Sequence, residues 1–222
     1  MNSYIVSVLE DYYNCAKEKN NKGYSQQLRL KYDDDVKYYL KQGLPEEDAL
    51  HADNITSFWT VYKRLLELEA DWMVYKTEKS LHSLLRQIRS KGENDFTKKI
   101  IAVNEKLEPF AKAVHSSGNY MLLPDRQMNN MRYEIAEDRI DLTLFHSFSG
   151  GKLARFFNND STLCDWIKRE KLHFMFSNEI IDKNNLRWFV DNQKMISEMK
   201  KEEVYNYIKK AIDLINYREN IP

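Results

Sequence analysis

A mainly α, single-domain fold is what this chain predicts, and three observations predict it. Apolar residues recur at spacings of three and four along most of the sequence. Turn-formers are scarce, with 6 Gly and 4 Pro among 222 residues, while 31% charged residues suit solvated helix faces. The clearest break in the helical rhythm is a short apolar run closed by Pro124, so the expected form is a helical bundle over residues 1–222. At most a minor strand or hairpin is expected, near residues 119–124.

The elements follow in order. Ser3–Glu18 carries Ile5, Val8, Leu9, Tyr12 and Tyr13 at helical spacing, with Ser3 as cap. Tyr24–Gln42 is a second helix, ended by Gly43 and Pro45, and Pro45–His51 a short helical turn. Asp53 or Asn54 caps the longest periodic run, in which Ile55, Phe58, Trp59, Tyr62, Leu65, Leu66, Trp72 and Met73 form an apolar stripe. Leu81, Leu84, Leu85 and Ile88 continue it, and spacing alone leaves open whether Thr77–Ser80 divides it into two helices. Asn94–Leu107 is helical, and Pro109 kinks or ends that helix before Phe110–His115. Beyond Gly150–Gly151, helices are expected at Leu153–Phe157, at Ser161–Lys171 and at Lys201–Tyr217.

Composition narrows the function classes. Lys+Arg and Asp+Glu both number 34, so the net charge of zero provides no whole-molecule attraction to nucleic acid and leaves self-association, as a homodimer, open. Cys15 and Cys164 are too few for a disulfide framework and fit reduced thiols in a cytoplasmic protein. The apolar runs fall short of a membrane span.

Polar residues look positioned, rather than merely solvated, in His115–Leu144. Gly118 can take positive φ and stop the preceding helix at His115–Ser117. Tyr120–Leu123 is extended, and Asp125 caps a helix with Met128 and Met131 on one side. Asn129 and Arg132 share a face of that helix, and Asp138 and Asp141 flank Arg139. Charge beside an apolar strand must be paired, so Arg132 and Arg139 are expected to meet Asp138, Asp141 or Glu134. The expected binding residues are therefore Asn119, Asn129, Arg132, Asp138, Arg139 and Asp141.

This segment resembles a domain family of bacteria and their phages to which no activity is attached. Its members carry a Thr-Ile-Gly-Gly/Asn turn, an apolar strand ending in Pro, an Asn-x-x-Arg helix and an Asp-Arg-Phe-Asp-Leu-Thr-Leu run. Here the counterparts are Ser116–Asn119, Tyr120–Pro124, Asn129 with Arg132, and Asp138–Leu144, about thirty residues in all. Ser116–Ser117 departs from Thr-Ile, and the loop between Pro124 and Asn129 is short. The resemblance implies a phage–host conflict setting and no chemistry. The same stretch is more weakly similar to the second half of HNH nucleases. Their divalent-cation chemistry needs a His base on a preceding strand, and no Asp-His-x-x-Pro run stands here.

Arg139 and His146, with six residues between them, are similar to the Arg-x4–6-His signature of HEPN ribonucleases. That likeness implies Arg139 on phosphate charge and His146 polarising a 2′-hydroxyl, although Ile140 stands where those proteins usually place a polar residue. Asp33–Asp35 lacks the glycine-turned loop of a calcium site, and His51, His82 and His173 are isolated, so no metal or other cofactor is expected. Lys76, Lys79, Arg86, Arg89 and Lys91 read as a solvated basic helix face, and Cys164 as core. The expectation is a non-catalytic cytoplasmic binding protein that meets a protein or nucleic-acid partner through the face around Asn129, Arg132 and Arg139. The alternative is a nucleic-acid-cleaving enzyme, either a HEPN-like ribonuclease using Arg139 and His146 or a degenerate HNH-type nuclease.

Overall fold

Helix α1 (Tyr4–Lys17) starts where the Ser3 hydroxyl accepts the Val6 amide at 3.4 Å, as a serine before an apolar-periodic run should. The computed structural model describes residues 3–17, 52–90, 94–191 and 193–220. The helices expected at Tyr24–Gln42 and Pro45–His51, the run Asp33–Asp35, and Lys91 lie outside the described residues.

The long periodic run divides in two. Asp53 and Asn54 belong to strand β1 (Ala52–Asn54), so the helix cap falls instead to Ser57, whose hydroxyl accepts the Thr60 amide and opens α2 (Phe58–Ala70). α2 stops at Asp71, left-handed at φ 50°, whose amide reaches back to the Leu66 carbonyl. Residues 72–76 run without helix until Thr77 caps α3 (Glu78–Arg89). The apolar stripe is therefore interrupted: Met73 is 57% exposed, whereas Leu81, Leu84 and Leu85 are buried.

Helix α4 (Asp95–Val114), capped by Asn94, runs through Pro109 without ending. Proline removes one helical hydrogen bond, and burial of Leu107, Phe110, Ala111 and Val114 on both sides of it offsets that loss. A 3-10 turn (Ser117–Asn119) leads into strand β2 (Tyr120–Leu122). β2 pairs antiparallel with β1 in the register Ala52–Leu122, Asp53–Met121 and Asn54–Tyr120. The strand lies where the sequence places it; its partner, far upstream, was not legible.

Gly118 serves a purpose other than the expected one. Among the described glycines only Gly150 has a positive φ. A Cβ on Gly118 would lie 2.3 Å from the Ile215 carbonyl oxygen, so glycine is required there for close backbone approach. The partner in that approach is the last helix, α8 (Lys201–Asn220), which buries Val204, Tyr207, Ile208, Ala211, Leu214 and Ile215.

Between these lie α5 (Gln127–Ala136), α6 (Ile140–Ser147) and α7 (Asp160–Arg169). Asp125 accepts the Gln127 amide at 2.6 Å, and Asn159, two residues before the expected start at Ser161, forms a capping box with Thr162. Leu153–Phe157 yields only a 3-10 turn at Ala154–Phe156. Cys164 is half-buried rather than core. α1 packs on α3 and α4, α2 on α4, and α8 on α2, α4 and the Ser117–Asn119 turn. One continuous hydrophobic core joins these elements, and the architecture is mainly α with a two-stranded antiparallel sheet. Among the described residues no helix is long and apolar enough to cross a membrane.

Candidate ligand pocket

The polar residues expected to form a site divide into an internal frame and a pocket in front of it. Asn119 belongs to the frame. It is fully buried, its Oδ1 accepts the Thr56 amide, and its Nδ2 donates to the Thr56 and Val114 carbonyls at 3.1 and 2.8 Å. The amide thus stitches the exit of β1 to the end of α4, with no group left to face a ligand.

Arg132, on the inner face of α5 with Met128 and Ala136, is also fully buried. Its Nη1 donates to Asp53 Oδ2, its Nε to Thr143 Oγ1 at 2.9 Å, and its Nη2 to the Asn54 and Asp138 carbonyls at 2.7 and 3.2 Å. The Asp138 carboxylate lies further off, at 4.0 Å. The principal acid is therefore Asp53, supplied by β1, and not one of the three nearby in sequence.

Arg139 forms the second half of the frame. Its Nε and Nη2 grip both oxygens of Asp141 at 3.0 and 2.5 Å, and its Nη1 donates to the Lys194 carbonyl. Asp141 also accepts the amides of Leu142 and Phe189. Both side chains have zero exposure, and such a pair is tolerable only because every charge is answered. Thr143 links the halves, accepting from Arg132 and donating to the Arg139 carbonyl at 2.8 Å.

Two expectations are corrected by this burial. Arg132 and Arg139 do not present guanidinium groups to a macromolecular partner, because the folded core encloses both. Nor does Arg139 share an open face with His146: it precedes α6, bound by Asp141, while half-buried His146 lies in the last turn of that helix. Burial, then Lys152 and Lys183, hold the His146 imidazole below its usual range. Among the described residues no group of three or more His, Cys, Asp or Glu is placed to hold a metal.

In front of the Arg132 half lies a cavity of about 380 Å³. β1 contributes Asp53 and Asn54 to it, α5 contributes Asn129, Asn130, Tyr133 and Glu134, and Asp138 closes one side. The α5 residues form two i,i+4 pairs, Asn129 with Tyr133 and Asn130 with Glu134, so helical geometry alone brings the members of each pair together. Asp138 reaches its place because Glu137 and Asp138 both adopt left-handed backbone, at φ 45° and 61°, in the turn between α5 and α6. Lys76 enters from the segment between α2 and α3, its Nζ 5.2 Å from the ring centre of Tyr12 and 5.5 Å from that of Trp59. His115, the C-cap of α4, completes the far wall beside Phe58.

The electrostatics of the pocket follow from burial. Asp138 is pushed up to about 7, first by desolvation and then by Asp53, with Arg132 and Lys76 opposing. Desolvation pulls Lys76 down to about 8 against the charge of Asp138. His115 falls to about 4, again through burial, and is neutral at physiological pH. The buried Asn54 Oδ1 has no hydrogen-bond partner among the described residues. Carboxylates and amide oxygens thus line a concavity whose α5 wall, with Asn130, Tyr133 and Glu134 exposed, is open to solvent.

Asn129 and Asp138, two of the residues expected to bind, thus line the pocket, while Asn119, Arg132, Arg139 and Asp141 build what stands behind it. Sequence reasoning misses Asp53 and Asn54, which read as helix caps, and Lys76, which reads with a basic helix face that starts only after it. The Asn129–Tyr133 and Asn130–Glu134 spacings were the available signal for the α5 wall. Comparison of the chain with protein-family models, with curated proteins and with solved structures gives no match.

Proposed function

We propose that this is a non-catalytic binding protein whose ligand is a small polar molecule rich in hydrogen-bond donors and without phosphate. The observation that carries this reading is convergence. Side chains from β1, from the α2–α3 link, from α5 and from the α5–α6 turn line one cavity, with a buried arginine fixing Asp53 from behind. Its size lies at the lower end of the roughly 300–1,000 Å³ typical of small-ligand sites. Carboxylates at Asp53 and Glu134 and carbonyl acceptors at Asn54, Asn129 and Asn130 favour hydroxyl and amine donors. The same carboxylates oppose a phosphate group, which places nucleic-acid backbones below neutral polyols in this reading.

A thermal-shift screen of polyols, amino alcohols, nucleosides and phosphorylated compounds, followed by calorimetry on hits, tests it. The expected result is stabilisation by unphosphorylated donors, with affinity falling about tenfold in Asn129→Ala and in Glu134→Gln, the loss of one hydrogen bond to a polar or charged group. Hits confined to phosphorylated compounds, or hits indifferent to both substitutions, overturn the proposal.

A further inference from the structure

We propose that Lys76 captures a carbonyl-bearing ligand in this pocket as a reversible imine, with Asp138 relaying the protons. The inference rests on the pocket being a ligand site and names the ligand class: a small hydroxy-aldehyde or hydroxy-ketone. Its basis is placement. Lys76 is not on a solvated helix but in the link before α3, where it lines the cavity with its amine over the rings of Tyr12 and Trp59. Asp138 lines the same cavity and is close enough to act on the charge of Lys76. Asn129 and Glu134 line the same cavity, and their side-chain oxygens can accept from hydroxyl groups that an aldehyde ligand would carry.

Burial supports the chemistry. An amine lowered to about 8 has a sizeable neutral fraction near pH 7.5, and a carboxyl raised to about 7 can both give and take a proton there. The neutral amine attacks the carbonyl carbon. The carbon–nitrogen bond forms, the carbonyl π pair moves to oxygen, oxygen takes a proton from the Asp138 carboxyl, and nitrogen returns one to the resulting carboxylate. The re-protonated Asp138 then protonates the hydroxyl, the carbon–oxygen bond breaks, water leaves, and a protonated imine remains. No electrons are gained or lost, so no redox partner is needed.

The test uses the full chain with glyceraldehyde and cyanoborohydride, which reduces an imine to a stable amine adduct, mapped by peptide mass spectrometry. The expected result is labelling of Lys76 about ten times faster than of the next lysine, reflecting its larger neutral fraction. The rate should rise with a midpoint near pH 8 and fall several-fold in Asp138→Asn. Labelling spread evenly over the lysines, or a Lys76 rate that climbs only in the ordinary lysine range, overturns the proposal. Lys76→Arg, which keeps the cation but cannot form an imine, separates the two readings. If a screened polyol still binds this variant while the parent shows no preferred adduct, the imine fails and the pocket stands. If neither the polyols nor the aldehyde engages the pocket, both fail.

Discussion

Asp138 concentrates the chemistry of this protein in one side chain. It sits in a left-handed turn that L-residues adopt at a cost of about 1–2 kcal/mol each, and Glu137 before it does the same. What holds the turn is Arg132, which takes the Asp138 carbonyl, and the Glu137 amide, which returns to the Tyr133 carbonyl as a helix stop. The carboxyl so delivered is raised to about 7 from its ordinary value of 3.8, chiefly by burial and then by Asp53. The folded state therefore holds this proton more tightly than the unfolded chain, and folding takes up a proton between those two values. The contribution of Asp138 to stability is thus greatest below about pH 4 and declines as pH rises through 7. Asp138→Asn removes that dependence. The melting temperature of the variant minus that of the parent should increase steadily from pH 4 to pH 7, measured by scanning calorimetry; a difference that is flat in pH contradicts the assignment.

At the scale of elements, local chemistry and close approach do separate jobs. The helix starts at Ser3, Ser57, Thr77, Asn94 and Asn159 all use side-chain oxygens that accept amides of the first turn; Ser3 and Asn94 open their helices where periodicity places them, whereas Ser57 and Thr77 emerge only in the fold. Gly118 and Gly150 show where sequence reasoning exchanges one cause for another. Gly150 has the positive φ and open space where a methyl would project, whereas Gly118 has ordinary backbone and no space at all. Alanine at 150 is expected to cost about 1 kcal/mol, the low end of the penalty for a left-handed L-residue. Alanine at 118 must push the 3-10 turn away from the Ile215 carbonyl and the Glu219 side chain, and should cost about 1–3 kcal/mol. Urea titration of the two variants checks the order, and equal costs would remove the close-approach argument.

Over the whole molecule, the buried arginines Arg132, Arg139 and Arg218 perform one task. Helices satisfy their own backbone, but β1, β2, the Ser117–Asn119 turn and the irregular stretch after α7 do not satisfy all of theirs. Arg132 takes the Asn54 carbonyl, Arg139 the Lys194 carbonyl, and Arg218 the carbonyls of Gly118, Tyr120 and Glu170. Each guanidinium thus pins irregular backbone to a helical scaffold with several charge-assisted bonds. Arg132→Met leaves the Asp53 carboxylate buried without its main cation and is expected to destabilise by about 3–5 kcal/mol. Hydrogen exchange should accelerate first in Asn54 and Tyr120–Leu122, where the two-stranded sheet is tied down. Exchange that accelerates uniformly, with no lead in the sheet, would show that Arg132 supports the core generally rather than this sheet.

The helical class, the cap at Ser3 and the strand at Tyr120–Leu122 were legible because each depends on neighbours a few residues away. Periodicity reports which face is apolar, and a capping oxygen bonds an amide within its own turn. The pairing of Arg139 with Asp141 was legible for the same reason. Partners distant along the chain were not. Asp53 lies 79 residues from Arg132, and its strand is three residues long, too short to register as a pattern. The direction of Lys76 depends on Asp71 ending α2 and on the rings that receive the ammonium. Sequence therefore determined, among the described residues, the main helical segments and that charge would gather near residues 129–141. Only packing decided which of those charges became internal frame and which faced the cavity, because burial and long-range pairing belong to the assembled core and to no single segment.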